Sequence, residues 1–565
     1  MKGKHVKTVL MMVAVLLGLY VGYMQIKPQV ALPKDFKETG KTLDQADEGP
    51  DLDLMLSHLK AMASQVHSVG SEGLRITQAY LIDQLEQLGH TPVVEEYVLS
   101  AAEIQALEAE RIAYHRQNWH ADDLVIREYS SNSDKLGMNL KNIYVALDAP
   151  GTDEAILFMA HTDSVIMGPG AFDDTVSVAA MLEGIRALNG VPLKCDMIFL
   201  FTDGEEKRLL GAALFVNDHP ELKDRVQSVI NLEGRGNRGA LIMFESTHNN
   251  LNMVRAYARS APGPLALSVA NSVYRMMDND TDLTRFIMAG YSGMNLAVIE
   301  GAEVYHTKDD NYENFDRKSA MHYLATVTGL ATDFATCEDL TLTAREDGVF
   351  FPLWPGNLMV MSRTLADVLA FAALVAYVVV LVILVLCRRV RMLRVLHAAV
   401  ASLLALAVAG GLAFGLLKIL DAIPAVRDSL GASQGIAEQL ACAVLAFAAL
   451  PVFRFIYRKG DGTAAALGTL LLPALLAPVM VFLFPSASYL FSWPVLLGLV
   501  SVLVHPWCRL GIVPAAMAFI SLLLYVPLAA LVMIALGVQV AYVPVVLTAL
   551  PLVMAVGQWR MGKVA

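Results

Sequence analysis

Hydrophobic and polar positions divide the chain into three parts. Residues 8–24, TVLMMVAVLLGLYVGYM, form an uncharged apolar run flanked by Lys2, Lys4 and Lys7. The run is just long enough to span a bilayer. It is long for a signal-peptide core and no A-x-A site follows it, so 1–26 reads as an uncleaved N-terminal transmembrane anchor. Residues 27–50 turn polar and read as a linker. A helical pattern starts near Asp51 and recurs over 75–89, RITQAYLIDQLEQLG, where Gly89 closes it. Short apolar runs then alternate with amphipathic helical segments: VVEEYVL, NIYVAL, AILFMA, MIFLF, SVINLE, ALIMFE and MNLAVI. That alternation predicts an α/β domain over 51–345, a mixed, largely parallel sheet with helices on both faces. The charged stretch at about 101–135 reads as an insertion in it.

The tail carries seven more apolar runs, near 365–387, 396–417, 437–457, 463–484, 488–507, 511–536 and 540–558. They predict an all-α multi-span transmembrane domain over 360–565. CRRVRMLR, RFIYRKGDG, WCRLG and WRMGKVA hold most of the tail's Arg and Lys, whereas LDAIPAVRDSLGASQGIAEQ does not. Eight spans with both termini cytosolic satisfy the positive-inside rule throughout. The centres of the spans are nearly free of ionisable residues, which argues for an anchor, a homo-oligomer surface or a substrate-presenting platform and against ion coupling.

Composition sharpens this division. Hydrophobic residues make up 55% of the 565 and charged residues 17%, too apolar a balance for an ordinary soluble protein. Residues 361–565 carry a net charge of +8 and the first 360 a net charge of −19. An acidic front and a mildly basic, apolar tail exclude a nucleic-acid partner. The five cysteines show no metal-type spacing; Cys195 reads as a buried thiol, with a Cys195–Cys337 disulfide as the minor alternative.

Chemistry-bearing residues cluster where the predicted strands end. AILFMAHTDSV puts His161 and Asp163 after one strand, and GPGAFDDT puts Asp173 and Asp174 in a loop entering a helix. MIFLFTDGEE puts Glu205 and Glu206 after a second strand, INLEGRG ends a third with Glu233, and EVYHTKDD places His306 after the last. Open α/β sheets build their sites at the carboxyl ends of strands. Alone, His161 reads as a core histidine, Asp173–Asp174 as a helix cap and Glu205–Glu206 as a solvated turn. Together they supply imidazole and carboxylate ligands for divalent metal, and one carboxylate to spare as a base for water.

These five ordered motifs, over roughly residues 50–335, resemble the dizinc peptidase family of bacterial leucyl aminopeptidase, aminopeptidase Y and glutamate carboxypeptidase II. The resemblance implies that His161 and Glu233 bind one Zn2+, that Glu206 and His306 bind a second, and that Asp173 bridges them. It implies Glu205 as general base and Asp163 as the residue orienting His161. Asp174 would shape the bridging loop. Two zincs per chain are expected; many soluble members have Asp where this chain has Glu233, a longer arm that would alter metal spacing or loosen one site, so one zinc is the alternative. Glu233, the N-terminal anchor and the multi-span tail resemble a membrane branch, the endoplasmic-reticulum metallopeptidase and the fungal vacuolar membrane protease. DNDTDLTRF (278–286) resembles that branch too, and there Asp282 would line a substrate pocket. Arg235 is a further candidate, for gripping a substrate carboxylate.

The resulting expectation is a membrane-anchored zinc exopeptidase acting on peptides, most simply an aminopeptidase, embedded in a lipid bilayer. Its active domain would face a bacterial periplasm or, second, an organelle lumen. Two alternatives stay open: a glutaminyl cyclase-like zinc acyltransferase on the same scaffold, and a non-catalytic receptor or transporter with a peptidase-like ectodomain.

Overall fold

The computed structural model describes residues 2–565 apart from Asp35, Glu48, 120–136, Asp278, Asp339, 424–435, Lys459, 506–510 and 562–565. The second half of the expected insertion, most of the loop before the 437–457 run, Cys508 and the chain end thus lie outside the described residues. The chain forms two compact units, one of Pro28–Ala266 with Ala270–Asp347 and one of Met1–Lys27 with Leu267–Val269 and Gly348–Ala565.

The first unit is built on one sheet. Its strands are β1 (Val93–Leu99), β2 (Met138–Leu147), β3 (Ala155–His161), β4 (Asp196–Thr202), β5 (Val226–Gly234), β6 (Arg238–Ser246), β7 (Leu265–Ala266) and β8 (Gly293–Glu300). Their spatial order is β1-β2-β4-β3-β5-β8-β6-β7. The four central strands β4, β3, β5 and β8 are mutually parallel. β2 is antiparallel to β4, and β6 antiparallel to β8. Every residue of β3 and β4 is buried, as expected for strands covered on both faces. On one face Leu157, Met159 and Leu200 pack with Ala212 and Phe215 of helix Leu210–Asp218 and with Leu283 and Phe286 of helix Asp282–Met288. On the other, Phe158 stacks on Phe199 at 5.3 Å. There Gly184 of helix Val176–Leu188 lets Val327 of helix Arg317–Thr336 approach. The sheet is therefore mixed and largely parallel, with helices on both faces. Within this sheet the two-residue β7 has no counterpart among the predicted strands.

Local chemistry sets the helix starts. Asp51 caps Leu52–Met62 by accepting the N–H groups of Asp53 and Leu54, and Ser71 caps Glu72–Gln87. The polar stretch expected as a linker is tied to the domain where the structure describes it. Thr39 and Gly40 donate to the Asp53 carboxylate, Lys41 pairs with Asp51 at 2.8 Å, and Glu38 pairs with Arg317. Its polarity is spent on partners within the domain as well as on solvent. The charged stretch after β1 begins as helix Ala101–Trp119.

Among the described residues of the second unit, eight helical segments are long and apolar enough to cross a membrane: His5–Met24, Arg363–Leu386, Met392–Asp421, Ala437–Ile456, Gly462–Leu483, Pro485–Val504, Ile512–Leu536 and Tyr542–Trp559. An antiparallel hairpin, Gly348–Trp354 with Asn357–Ser362, precedes the second of them. Phe351 of the hairpin stacks on Tyr489 at 4.2 Å. Among the described residues Cys195, Cys337, Cys387 and Cys442 are free thiols. Cys195 lies 3.3 Å from the Phe334 carbonyl, and burial pushes its thiol up to about 12.

Candidate metal centre

Because β3, β4, β5 and β8 run the same way, their carboxyl ends share one edge of the sheet. His161 is the last residue of β3, Glu205 and Glu206 follow β4, Glu233 is next to last in β5, and His306 follows β8. Asp173 comes in on the loop entering helix Val176–Leu188, through a cis peptide to Asp174.

The two oxygens of Asp173 serve two different imidazoles. Oδ1 lies 3.2 Å from Nε2 of His161, and Oδ2 lies 3.2 Å from Nε2 of His306. Glu233 Oε2 is 3.9 Å from His161 Nε2, and Glu206 Oε1 is 3.1 Å from His306 Nε2. Two triads result, His161–Asp173–Glu233 and Asp173–Glu206–His306, each offering three ligand atoms within 4.8 Å of one another. Donors held about 2.0–2.1 Å from a tetrahedral ion stand about 3.3–3.4 Å apart; the 3.1–3.2 Å contacts of Asp173 and Glu206 with the imidazoles are close to that spacing, and Glu233, 3.9 Å from His161, stands slightly wider. Asp173 Oδ2, Glu206 Oε1 and His306 Nε2 are buried and close, yet none has a hydrogen-bond partner among the described residues.

Tautomer and backbone are fixed around this cup. His161 Nδ1 donates to the Asp163 carbonyl at 2.8 Å, which leaves Nε2 for a metal. The Asp163 carboxylate, 3.6 Å from Nδ1, accepts the N–H groups of Gly204 (2.9 Å), Glu205 (3.1 Å) and Glu206 (3.2 Å). Asp163 thus holds the imidazole by its main chain and the glutamate turn by its side chain. Asp310, which sequence reasoning missed, accepts the N–H groups of Phe172 (2.9 Å) and Asp173 (3.2 Å). The second aspartate of YHTKDD was the only trace of it. Gly234 passes so close to the bridging loop that a Cβ there would fall 1.9 Å from the Phe172 carbonyl.

The electrostatics are those of a cup crowded with negative charge. Burial raises the Glu205 carboxyl well above the usual range, and Glu233 adds to it. Burial and Asp173 likewise raise Glu206, and burial raises Glu233. Burial pushes Asp173 up too, but the two imidazoles outweigh it and hold the group low. A divalent cation in each triad would relieve this repulsion, so the donor set fits two zinc ions in number, type and charge. The Glu205 carboxylate accepts no hydrogen bond among the described residues, as suits a group kept for proton transfer.

The structure sets other sequence candidates apart. Asp282 is 1% exposed, with Oδ2 accepting the Thr202 hydroxyl. Its charge is felt by Glu205 and Glu233. Arg235 is half-buried, its guanidinium 6.0 Å from the Tyr305 ring centre. Asp174 is fully buried and accepts the Ser177 hydroxyl. Helix Ala101–Trp119 borders the site: His115 lies 2.7 Å from Asp280, Arg111 also pairs with Asp280, and Glu108 faces Arg208 of the turn after β4.

Residues 142–331 match the family model described as Peptidase family M28. Endoplasmic reticulum metallopeptidase 1 of Mus musculus is 35% identical over 207 residues, 34% of this chain and 23% of that protein. The vacuolar membrane protease of Candida tropicalis is 34% identical over 181 residues, 31% of this chain and 19% of that protein. The chain thus spans less than a third of the length of these curated relatives. Among solved structures, an aminopeptidase from Aneurinibacillus sp. strain AM-1 superposes with a TM-score of 0.40 at 14% identity, covering 53% of this chain and 97% of that one. The resemblance to the dizinc peptidases and to their membrane branch holds at the level of the sequence.

Proposed function

Taking the match of residues 142–331 to Peptidase family M28 as premise, we propose that the protein is a membrane-embedded zinc exopeptidase, an aminopeptidase. The observation that carries this reading is the Asp173 carboxylate, whose two oxygens face His161 and His306, each completed to a triad by one glutamate. Two zinc ions per chain are the cofactors. His161, Asp173 and Glu233 hold one, and Asp173, Glu206 and His306 the other. When bound, the ions supply Lewis acidity for the scissile carbonyl and acidify a water.

The protein groups do the rest. Glu205 takes the proton of the attacking water and delivers it to the leaving amine. Burial favours its protonated form, so it releases that proton readily only when cations offset the charge of its neighbours. Asp163 keeps Glu205 and Glu206 in one turn so that one can ligate while the other moves a proton. Arg235 stands at the site's edge as a candidate for the substrate's carboxylate end, and Asp282 acts from within the domain on the charge of Glu205 and Glu233. Eight apolar helical segments among the described residues, with Arg and Lys concentrated in alternate loops, support a topology with both termini cytosolic and the peptidase domain outside, in a bacterial periplasm or, second, an organelle lumen. Peptides are the substrate and the bilayer the setting, and the spans offer a surface for self-association.

The test is metal content and specificity measured together on the full-length protein in detergent. The expected result is close to two zinc ions per chain and cleavage of aminoacyl substrates but not of N-blocked ones. Folded protein that takes up no zinc and cleaves neither would overturn the reading. Pyroglutamate formation from Gln-initiated peptides would replace it with the acyltransferase.

A further inference from the structure

Glu233 is the ligand with the longest reach in its triad, and the structure shows what restrains that reach. Asn231 and Glu233 lie two residues apart on β5, so their side chains leave the same face of the sheet. Asn231 Nδ2 donates to Glu233 Oε1 at 3.0 Å. The other oxygen, Oε2, is the one that faces His161 Nε2. Glu233 is therefore divided, one oxygen tethered to its own strand and one presented to the cup.

The tether is itself anchored across three strands. Asn231 is in direct register with Asn295 on β8, and Asn295 with Glu245 on β6. The second hydrogen of Asn231 Nδ2 goes to Asn295 Oδ1 at 2.8 Å. Asn295 Nδ2 in turn donates to Glu245 Oε2 at 2.5 Å and to the Thr281 hydroxyl at 2.9 Å. All of these side chains are buried: Asn231 1%, Asn295 0%, Glu245 6% and Thr281 6% exposed. The partners leave only one orientation for each amide. Asn295 must turn its oxygen to Asn231 because its nitrogen is taken by Glu245 and Thr281, and Asn231 must then turn its nitrogen to both Asn295 and Glu233. Such a chain is polarised along its length, and the Glu245 end strengthens the acceptor that Asn231 meets.

We infer that Asn231, oriented by Asn295 and Glu245, is a positioning residue that fixes Glu233 as a one-oxygen ligand and thereby sets how tightly the His161-side ion is held. This rests on the two-metal reading of the site and names what controls one half of it. A glutamate free to rotate would alternate between one-oxygen and two-oxygen contact and would lose entropy on binding. The tether removes that freedom before the ion arrives. It also gives the extra methylene of Glu233, relative to aspartate, a use: the longer arm reaches the ion while its other oxygen stays on Asn231.

The experiment is zinc release from the full-length, detergent-solubilised protein to a chromophoric chelator, for wild type, Asn231→Ala, Glu233→Asp and the double variant. In wild type two ions are expected to leave. In Asn231→Ala one ion is expected to be held about 10–100-fold more weakly, with the other unchanged. In the Glu233→Asp background, whose shorter carboxylate does not reach Asn231, adding Asn231→Ala should change nothing further. Asn295→Ala should loosen the same ion by a smaller factor, and with Asn231→Ser it carries the test if Asn231→Ala does not fold. Unchanged release in Asn231→Ala, or an equal loss in the wild-type and Glu233→Asp backgrounds, overturns the inference and leaves the two-metal site standing. Wild-type protein that binds no zinc overturns the site itself.

Discussion

The Asp310 carboxylate accepts the backbone N–H of Asp173 at 3.2 Å while holding that of Phe172 at 2.9 Å. The residue that faces both imidazoles is thus held in place by a second aspartate, four positions after His306. Asp310→Ala leaves two buried N–H groups without acceptors and lets the Asp173 loop drift. We expect zinc affinity to fall about 10–100-fold, read by chelator competition, and kcat to fall with it. Wild-type affinity in that variant would show that the loop keeps its own shape.

Glu205→Gln removes the proton acceptor without removing a ligand. Zinc content should stay at the wild-type level, while turnover of an aminoacyl substrate drops by about 100-fold or more. Near-normal turnover in the zinc-loaded variant would take Glu205 out of the chemistry.

Asp163 bonds three consecutive N–H groups of the glutamate turn. Asp163→Asn keeps an oxygen for Gly204 and Glu205 but turns an N–H group toward that of Glu206. The loss is expected to be about 1–3 kcal/mol, seen as a thermal midpoint lower by several degrees. The same variant should lose zinc from the His306 side first, because Glu206 rides on that turn.

Chelation should destabilise the peptidase unit. With four buried or half-buried carboxylates close together, each cation favours only the folded arrangement. A free ion concentration about 1,000 times its Kd corresponds to about 4 kcal/mol of stabilisation. EDTA is therefore expected to lower the thermal midpoint, and stoichiometric zinc to restore it. A midpoint indifferent to both would mean that the cup is rigid without metal.

His322 is one source of acid sensitivity outside the cup. His322 is fully buried and accepts the Leu241 N–H on Nδ1 at 3.0 Å, and burial lowers its pKa from 6.5 to about 4. Between those values the unfolded chain binds the proton and the folded chain does not. The stability due to neutral His322 is thus complete above pH 6.5, is lost as pH falls toward 4, and changes no further below that. The amount is of order 3 kcal/mol. His322→Gln should be less stable at neutral pH, yet show a flatter fall in thermal midpoint between pH 6.5 and 4.

Much of the site was legible because strand ends are legible. An apolar run such as MIFLF stops where the sheet stops, and the polar residues that follow it must face the edge. The positions of His161, Asp173–Asp174, Glu205–Glu206, Glu233 and His306 could therefore be read from residue types and the ends of the apolar segments, while the family resemblance singled out Asp173 and Glu206 as ligands. What could not be read depends on register between distant strands. Asn231 and Asn295 are 64 residues apart, and nothing in NLE or MNLAVI says that they oppose each other. Asp310 left no trace beyond its place in YHTKDD, because it acts on main-chain N–H groups, which every loop has. Asp282 stands out by its motif, yet the fold turns it inward onto Thr202. The polar 27–50 stretch reads as a linker because its partners, Asp53 and Arg317 among them, lie elsewhere in the chain.

Gly234 makes the tolerance of the cup measurable. Its α-carbon hydrogen stands where even a methyl group would press on Phe172, the residue immediately before the bridging aspartate. Any substitution there acts as a wedge of known thickness between the strand that brings Glu233 and the loop that brings Asp173. Alanine, serine and valine at this position would form a graded ruler for how far apart two halves of a paired-ion pocket can be pried before it stops behaving as one.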